Sequence, residues 1–364
     1  LIFQANIRLL IIYHIFYFML RCTFVILLSW ILLIACSPSS EKPNELAPEY
    51  GQLTGIPSID AISRDIQNDP SNLSLYVARC EAYSAEGMLK EAEEEARQLW
   101  ERDKTNWKSA RLLAWAYFDN NKSKPAIKVL NQTLEIHPDT LHLLLLHSHM
   151  NMLVQQYDNA LISAEKVLKL APANIEGLFM RGLTLKFIGD TIGAMNNFQT
   201  AIELDADYSD AYMQLATIFS AKREKIALQY YDNALRIDST SYEALFGKAQ
   251  FYHQNYTATN GMLSKAKTAY EKTITNHPQV PEASFNYAML YMEEKDFEQA
   301  FHFFDVATKY DPSFGDAYYF KGLASEKLGN FEAAMTNYNN AANNNDRFGR
   351  AAEAIERLKY QLAG

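Results

Sequence analysis

Apolar residues recur along most of this chain at the three- and four-residue spacing of helices that bury one face. The spacing is clear near the C-terminus, where Ala351, Ala354, Ile355 and Leu358 share one stripe and charged residues fill the positions between them. No alternating apolar and polar run of the kind that predicts a strand accompanies these segments. The pattern therefore predicts an all-helical protein built from many short helices.

The N-terminal apolar segment follows a different pattern. Residues 23–35 form an unbroken apolar run directly after Arg21, and the run is too short to span a bilayer comfortably. It ends in Leu33-Ile34-Ala35-Cys36, which resembles the bacterial lipobox, the sequence at which a signal peptide is cut before a cysteine that receives lipid. We therefore expect residues 1–35 to be a signal peptide and Cys36 to be lipidated.

The first eighteen residues do not fit a signal peptide, because they add a second apolar stretch, Leu9 to Phe18. We expect translation to start at Met19, which would leave a short, positively charged leader segment. An uncleaved anchor made from both stretches is the alternative, although Arg8 and Arg21 interrupt it. Residues 36–56 contain three prolines and few aliphatic residues, so they are expected to form a flexible tether.

The remainder of the chain carries an internal repeat of about 34 residues. Its marker is an alanine, found at Ala92, Ala126, Ala160, Ala194, Ala227, Ala266, Ala300 and Ala334. A second small residue precedes each alanine by eleven or twelve positions, or by seventeen in the longest unit: Cys80, Ala114, Ser148, Gly182, Ala216, Ala249, Ala288 and Gly322. Small side chains let two helices cross closely, so the spacing predicts a helical hairpin repeated eight times.

This pattern resembles the tetratricopeptide repeat family, whose unit is a hairpin of helices A and B with small residues at their crossing. Eight units can be aligned, at 73–106, 107–140, 141–174, 175–208, 209–241, 242–280, 281–314 and 315–348. Residues 57–72 are expected to be an N-terminal capping half-repeat and residues 349–364 a C-terminal capping helix. The resemblance implies an all-α fold, a right-handed superhelix or α–α solenoid.

Two units depart from the regular length. Unit five lacks one residue in its turn and has no glycine there, and unit six has five extra residues within 253–261. The longer loop should project from the edge of the array, where it could contact a partner. Simple drift of the repeat is the simpler explanation of the insertion.

The resemblance also implies a ligand-binding face, because helices A of the family line a concave groove and contact ligands from positions two, five, nine and twelve of each unit. The groove residues predicted on this basis are Leu145, Phe179, Leu183, Met213, Phe246, Phe285, Met289 and Tyr319. An apolar groove of this kind suits an amphipathic or extended apolar polypeptide. The alternative is that the aromatic residues only pack along helix A.

Acidic residues occupy the second position of five successive units: Glu176, Asp210, Glu243, Glu282 and Asp316. Such a row beside the groove could select basic ligands. It could equally stabilise the helices, because acids in the first turn interact favourably with the helix dipole.

Composition and motifs argue against several other functions. A net charge of −9 disfavours nucleic acid as a partner. Cys80 is expected to be a packed core residue, and the spacing of His142, His147 and His149 is not the i, i+4 pair of a helical metal site. Phosphate-binding glycine loops and nucleophile elbows are absent from the sequence, so we expect no enzyme activity, no catalytic residues, no metal, no cofactor and no small-molecule substrate.

These observations predict a non-enzymatic scaffold for protein–protein interaction at the bacterial cell envelope, anchored by lipid to the outer membrane and binding a protein partner of unknown identity. The alternative is an accessory subunit that positions an envelope hydrolase or protease. Copurified partners would distinguish the two.

Overall fold

A computed structural model describes residues 54–257, 261–344 and 348–363, and within these ranges every regular element is one of eighteen α-helices. A first helix, α1 (Pro57–Asn68), precedes eight hairpins, and α18 (Phe348–Ala363) follows them. The predicted signal peptide, Cys36 and the tether up to residue 53 lie outside the described residues. None of the described helices has the length and apolarity needed to cross a membrane.

Each hairpin pairs a helix A with a helix B. Helices A are α2 (Leu73–Ala85), α4 (Trp107–Asp119), α6 (Leu141–Leu153), α8 (Ile175–Ile188), α10 (Ser209–Ala221), α12 (Tyr242–Gln254), α14 (Pro281–Glu294) and α16 (Gly315–Lys327). Helices B are α3 (Leu89–Arg102), α5 (Ser123–Ile136), α7 (Tyr157–Leu170), α9 (Thr191–Leu204), α11 (Ile226–Ile237), α13 (Met262–Asn276), α15 (Phe297–Tyr310) and α17 (Phe331–Asn344). Each helix packs on the next along the chain, and α1 and α18 cover the two ends. The predicted fold class, an all-α solenoid of eight hairpins with capping helices, is confirmed.

The crossing of helices A and B is as close as the small residues predicted. All eight marker alanines are fully buried, and the large rings beside the crossings, such as Phe198 and Tyr338, are fully buried as well. At Gly182 a Cβ atom would lie only 2.6 Å from Cε1 of Phe198. The ring therefore occupies the space that a side chain at position 182 would need.

Short polar residues begin several helices. The Asn174 side chain accepts a hydrogen bond of 2.7 Å from the Gly177 amide at the start of α8, and Asp190 accepts one of 2.8 Å from the Gly193 amide at the start of α9. These bonds satisfy backbone donors that the first helical turn leaves without partners. Sequence reasoning had not assigned these caps.

The turn between helices A and B places one residue in the left-handed conformation. Glycine holds this position in unit four at Gly189 (φ 92°) and in unit eight at Gly329 (φ 76°). The shortened turn of unit five, which has no glycine, uses Arg223 at φ 58° instead. Side chains disfavour this conformation, so the hairpin geometry is maintained there at a local cost in backbone energy.

The inserted segment of unit six is described except for residues 258–260, and its first part lies against unit seven. The Tyr256 hydroxyl donates a hydrogen bond of 2.6 Å to Glu293 near the end of α14. The His253 ring lies beside Tyr256, and its Nε2 is 3.4 Å from the same carboxylate. This part of the insertion therefore joins two neighbouring units.

A buried ion pair at the N-terminal end was not foreseen from the sequence. The Arg79 guanidinium in α2 donates hydrogen bonds of 2.9 and 2.8 Å to both carboxylate oxygens of Glu95 in α3, and one of 3.1 Å to the Ser63 hydroxyl in α1. Only 3% of Arg79 and 6% of Glu95 are exposed. This polar network connects the capping helix to the first hairpin.

Candidate protein-binding surface

Helices A form the inner layer of the array. Helices A of successive units touch each other at α2–α4, α4–α6, α6–α8 and α10–α12, whereas contact between successive helices B in the described ranges is less extensive. In a curved stack the elements on the shorter arc approach one another most closely, so this packing puts helices A on the concave side. The predicted groove residues all belong to these helices.

The fifth-position aromatic residues pack inward against helix B. Phe179 contacts Phe198 at a ring-centroid distance of 5.7 Å, and Tyr319 contacts Tyr338 at the same distance. Phe285 lies 5.6 Å from the buried ring of Phe304. One side of each of these rings therefore packs in the core, which agrees with the interpretation that the aromatic residues pack along helix A.

Phe179 is the predicted groove residue with the least accessible side chain. Its ring lies between Phe198 and Tyr208, the residue directly before α10, and it is 9% exposed. The expectation that Phe179 presents its ring to a ligand therefore needs correction, because the ring is almost completely buried. Phe179 belongs instead to a core cluster that also contains Ala211 and Tyr212 of unit five.

The other predicted groove residues are half-buried and pack on core clusters through one side. They are Leu145, Leu183, Met213, Phe246, Phe285, Met289 and Tyr319. Leu183 packs against the core clusters of two neighbouring units. A row of half-exposed apolar side chains thus runs along helices A from unit three to unit eight.

The acidic row lies at the beginning of helices A. Glu176 is exposed, while Asp210, Glu243, Glu282 and Asp316 are half-buried. Each of these side chains stands in the first turn of its helix, where interaction with the helix dipole is favourable. This position is compatible both with selecting basic ligands and with stabilising the helices, the two roles that the sequence left open.

The three histidines of unit three have separate surroundings. His142 stacks on Trp107, and His149 meets Trp115 edge to face. His147 is buried, its Nδ1 lies 2.7 Å from the Ser163 hydroxyl, and burial lowers its pKa. Within the described ranges, no three His, Cys, Asp or Glu side chains are grouped so that they could hold a metal ion.

Cys80 is a packing residue at the crossing of α2 and α3. Its thiol donates to the Ala92 carbonyl at 3.2 Å, and the side chain is almost fully buried. Burial raises the pKa of the thiol to about 12, which suppresses the reactive thiolate.

Ion pairs between neighbouring units recur at the seventh position of helix A. In units four, six and eight a basic residue at this position contacts an acid sixteen residues earlier, in helix B of the preceding unit: Arg181 with Glu165, Lys248 with Asp232 and Lys321 with Asp305. Arg79 also stands at position seven, but its acid lies sixteen residues later. The signal that could have revealed these pairs is opposite charge at a spacing of sixteen.

A lysine in the middle of the concave layer was also missed. Lys186, at position twelve of unit four, reaches from α8 to α10, where Nζ donates to Gln214 Oε1 at 2.8 Å and to Thr217 Oγ1 at 3.2 Å. Burial lowers the pKa of Lys186 to about 8. It therefore places a partly desolvated cation beside the apolar row.

Comparison with known proteins agrees with this architecture. Family models described as tetratricopeptide repeat match residues 83–148, 175–208, 257–309 and 315–356, together more than half of the chain. Human tetratricopeptide repeat protein 6 is 28% identical over 213 residues, which are 57% of this chain and 40% of that protein. The human mitochondrial import receptor subunit TOM70 is 25% identical over 189 residues, which are 50% of this chain and 31% of the receptor. The chain thus spans less than half the length of these relatives.

A solved structure shares the fold. The C-terminal part of a repeat-containing protein from Cytophaga hutchinsonii superposes with a TM-score of 0.53 at 18% identity, covering 66% of this chain and 98% of that one. Eight stacked hairpins, small residues at every crossing and family models matching over more than half of its length lead to one conclusion: the chain belongs to the tetratricopeptide repeat family.

Proposed function

We propose that this chain is a non-enzymatic scaffold that binds a partner polypeptide along the concave face formed by its helices A. The observation that carries the proposal is the row of half-exposed apolar side chains from Leu145 to Tyr319. Apolar side chains on the inner arc of a solenoid provide an extended surface on which another chain can bury its own apolar residues.

The packing of the array supports a rigid surface. Each unit contributes fully buried alanines and a buried B-helix side chain to the core between the two helix layers, so the backbone of helices A is held in place by the layer behind it. A preorganised surface of this kind binds with a smaller loss of conformational entropy. Among the relatives, TOM70 is by its name a receptor subunit, which agrees with a binding role for repeats of this type.

Site-specific photocrosslinking in cells tests the binding face. A photoreactive amino acid at Leu183 or Met289 should trap the partner. The same amino acid at Ile162 or Ile192 is a matched apolar control, because these side chains are exposed and lie on helices B. If only the control positions trap a partner, the concave assignment is wrong. The identity of the trapped protein distinguishes an adaptor from an accessory subunit of an envelope hydrolase or protease.

We further propose that the scaffold is held at the outer membrane of a bacterial envelope by lipid on Cys36, with residues 36–56 as its tether. The support is the apolar run of residues 23–35 that ends in the lipobox-like sequence before Cys36. One lipid-modified cysteine with two or more acyl chains anchors a protein stably.

Mass analysis and fractionation test the anchor. The mature protein should begin at Cys36 and carry the added mass of lipid, and Cys36→Ser should prevent both the modification and cleavage at this site. A wild-type chain that retains both apolar stretches, residues 9–18 and 23–35, and carries no lipid would support the uncleaved anchor instead.

A further inference from the structure

Lys186 combines a central position in the concave layer with an unusual set of partners. Its ammonium group has three donors, and two of them are used on neutral acceptors, the Gln214 amide oxygen and the Thr217 hydroxyl. The Thr217 hydroxyl donates its own proton to the main-chain carbonyl of Gln214 at 2.8 Å, so its oxygen can accept from the lysine. The arrangement positions the amine without neutralising it.

No acid of the neighbouring helices supplies the missing counter-charge. In the described part of the chain, no carboxylate lies within 4.0 Å of Nζ, and burial lowers the pKa of Lys186. Glu176 lies ten residues away on the same helix, a rise of about 15 Å, and Asp210 precedes Thr217 by seven residues, a rise of about 10 Å. The acidic row therefore stands at the other end of helices α8 and α10.

The surroundings of the amine are apolar on the groove side. Leu183 lies three residues before Lys186 on α8, and Met213 lies four residues before Thr217 on α10, so each shares a helix face with the polar group. Both apolar side chains are half-buried. A partly desolvated cation beside apolar surface favours a ligand that brings an anionic oxygen together with apolar groups.

We propose that Lys186, with Gln214 and Thr217, receives a side-chain carboxylate of the polypeptide bound in the groove. The inference rests on the proposed binding function and adds a specificity element to it. The acid should be a side chain rather than a chain terminus, because units one to three and six to eight continue the layer on both sides. A ligand chain can therefore pass across this point.

Selection from random peptides tests the assignment without a known partner. Ten-residue peptides displayed with their C-termini fused to a carrier have no free terminal carboxylate, and they would be selected on the wild-type chain and on Lys186→Met. Lys169→Met is the matched control, since this lysine is exposed on helix α7 and its substitution changes the net charge equally.

We expect wild-type-selected peptides to share one aspartate or glutamate flanked by apolar residues. Lys186→Met should bind them about 10- to 100-fold more weakly, the range for losing a hydrogen bond to a charged group, and Lys169→Met should bind them unchanged. Replacing the peptide acid by its amide should weaken binding to the wild type but not further weaken binding to Lys186→Met.

The outcomes separate this inference from the proposed function. Two results would overturn the carboxylate assignment and leave the scaffold proposal standing. One is that the selected peptides share no acid but still prevent crosslinking at Leu183. The other is that Lys186→Met binds the selected peptides as tightly as the wild type does. A preference for free C-termini in a second library with exposed C-terminal carboxylates would overturn the assignment to a side chain. If no peptide is enriched and no crosslink forms at Leu183, the binding function fails and the carboxylate site fails with it.

Discussion

Burial should determine how much an ion pair contributes to the stability of this array. Two pairs offer a matched comparison, since both join position seven of a helix A to an acid sixteen residues away in a helix B. The Arg79–Glu95 pair is 3% and 6% exposed, whereas the Arg181–Glu165 pair is 37% and 51% exposed. The perturbation is the same in both cases, replacement of the glutamate by alanine.

The two substitutions should differ greatly in how much they lower the free energy of unfolding. Glu95→Ala removes the acceptor of two guanidinium bonds from a buried arginine, and breaking a buried pair from one side costs about 3–5 kcal/mol. Glu165→Ala removes one contact of 3.4 Å between solvated side chains, which is worth about 0–1 kcal/mol. Replacing both members of the buried pair, as in Arg79→Met with Glu95→Leu, should cost less than Glu95→Ala alone because no uncompensated charge remains.

Urea unfolding of the full chain, followed by helical circular dichroism, measures the free energy of unfolding of each variant. Repeat arrays can open at one end, so hydrogen exchange of α1 should be measured in parallel. Because Arg79 also bonds Ser63 in α1, Glu95→Ala should accelerate exchange in this capping helix, and Glu165→Ala should not. Equal losses from the two glutamate substitutions would refute the burial argument, and a double variant as unstable as Glu95→Ala would show that packing rather than charge is responsible.

Three further outcomes are expected. The free energy of unfolding should fall as the pH is lowered below about 6.5, because buried His147 binds a proton less readily in the folded chain than in the unfolded chain. Urea titrations at pH 7.5 and 5.5 measure this fall, which should be smaller for His147→Gln. Gly182→Ala should lower the free energy of unfolding, because overpacking against Phe198 costs about 1–3 kcal/mol and the gain in helix propensity is only about 1 kcal/mol. Adding Phe198→Leu to this variant should restore part of the lost stability, because the smaller side chain leaves room for the new methyl group. Cys80 should react with iodoacetamide only after unfolding, as followed by mass spectrometry of its peptide, and rapid labelling of the native chain would contradict its burial.

The repeat itself could be predicted from the sequence because its signal is local. A small residue is needed wherever two adjacent helices of one hairpin cross, and the two positions are about twelve residues apart. Ala126, Ala194 and Ala334 are fully buried, as this reasoning required. Eight repetitions of a local rule were sufficient to indicate the number of hairpins and the all-α solenoid.

The exposure of individual side chains on that scaffold depended on the tertiary structure. Phe179 and Phe285 occupy the same position of their units, and each contacts an aromatic ring just before the next helix A, Tyr208 or Phe314, yet only Phe179 is nearly fully buried. Arg79 and Arg181 also share a position, but Arg79 is buried against the capping helix whereas Arg181 is 37% exposed. Burial at such positions is decided by side chains of other helices, and those side chains vary from unit to unit.

The periodic spacing of small and apolar residues thus determined the hairpin and its repetition, since both depend on contacts within about one unit of sequence. Only the packing of units on one another decided that Lys186 meets Gln214 and Thr217, 28 and 31 residues away, in a partly desolvated position. The physical reason is that desolvation depends on everything that surrounds a group in space. A repeat pattern specifies the backbone on which those groups are placed, but not what each one meets.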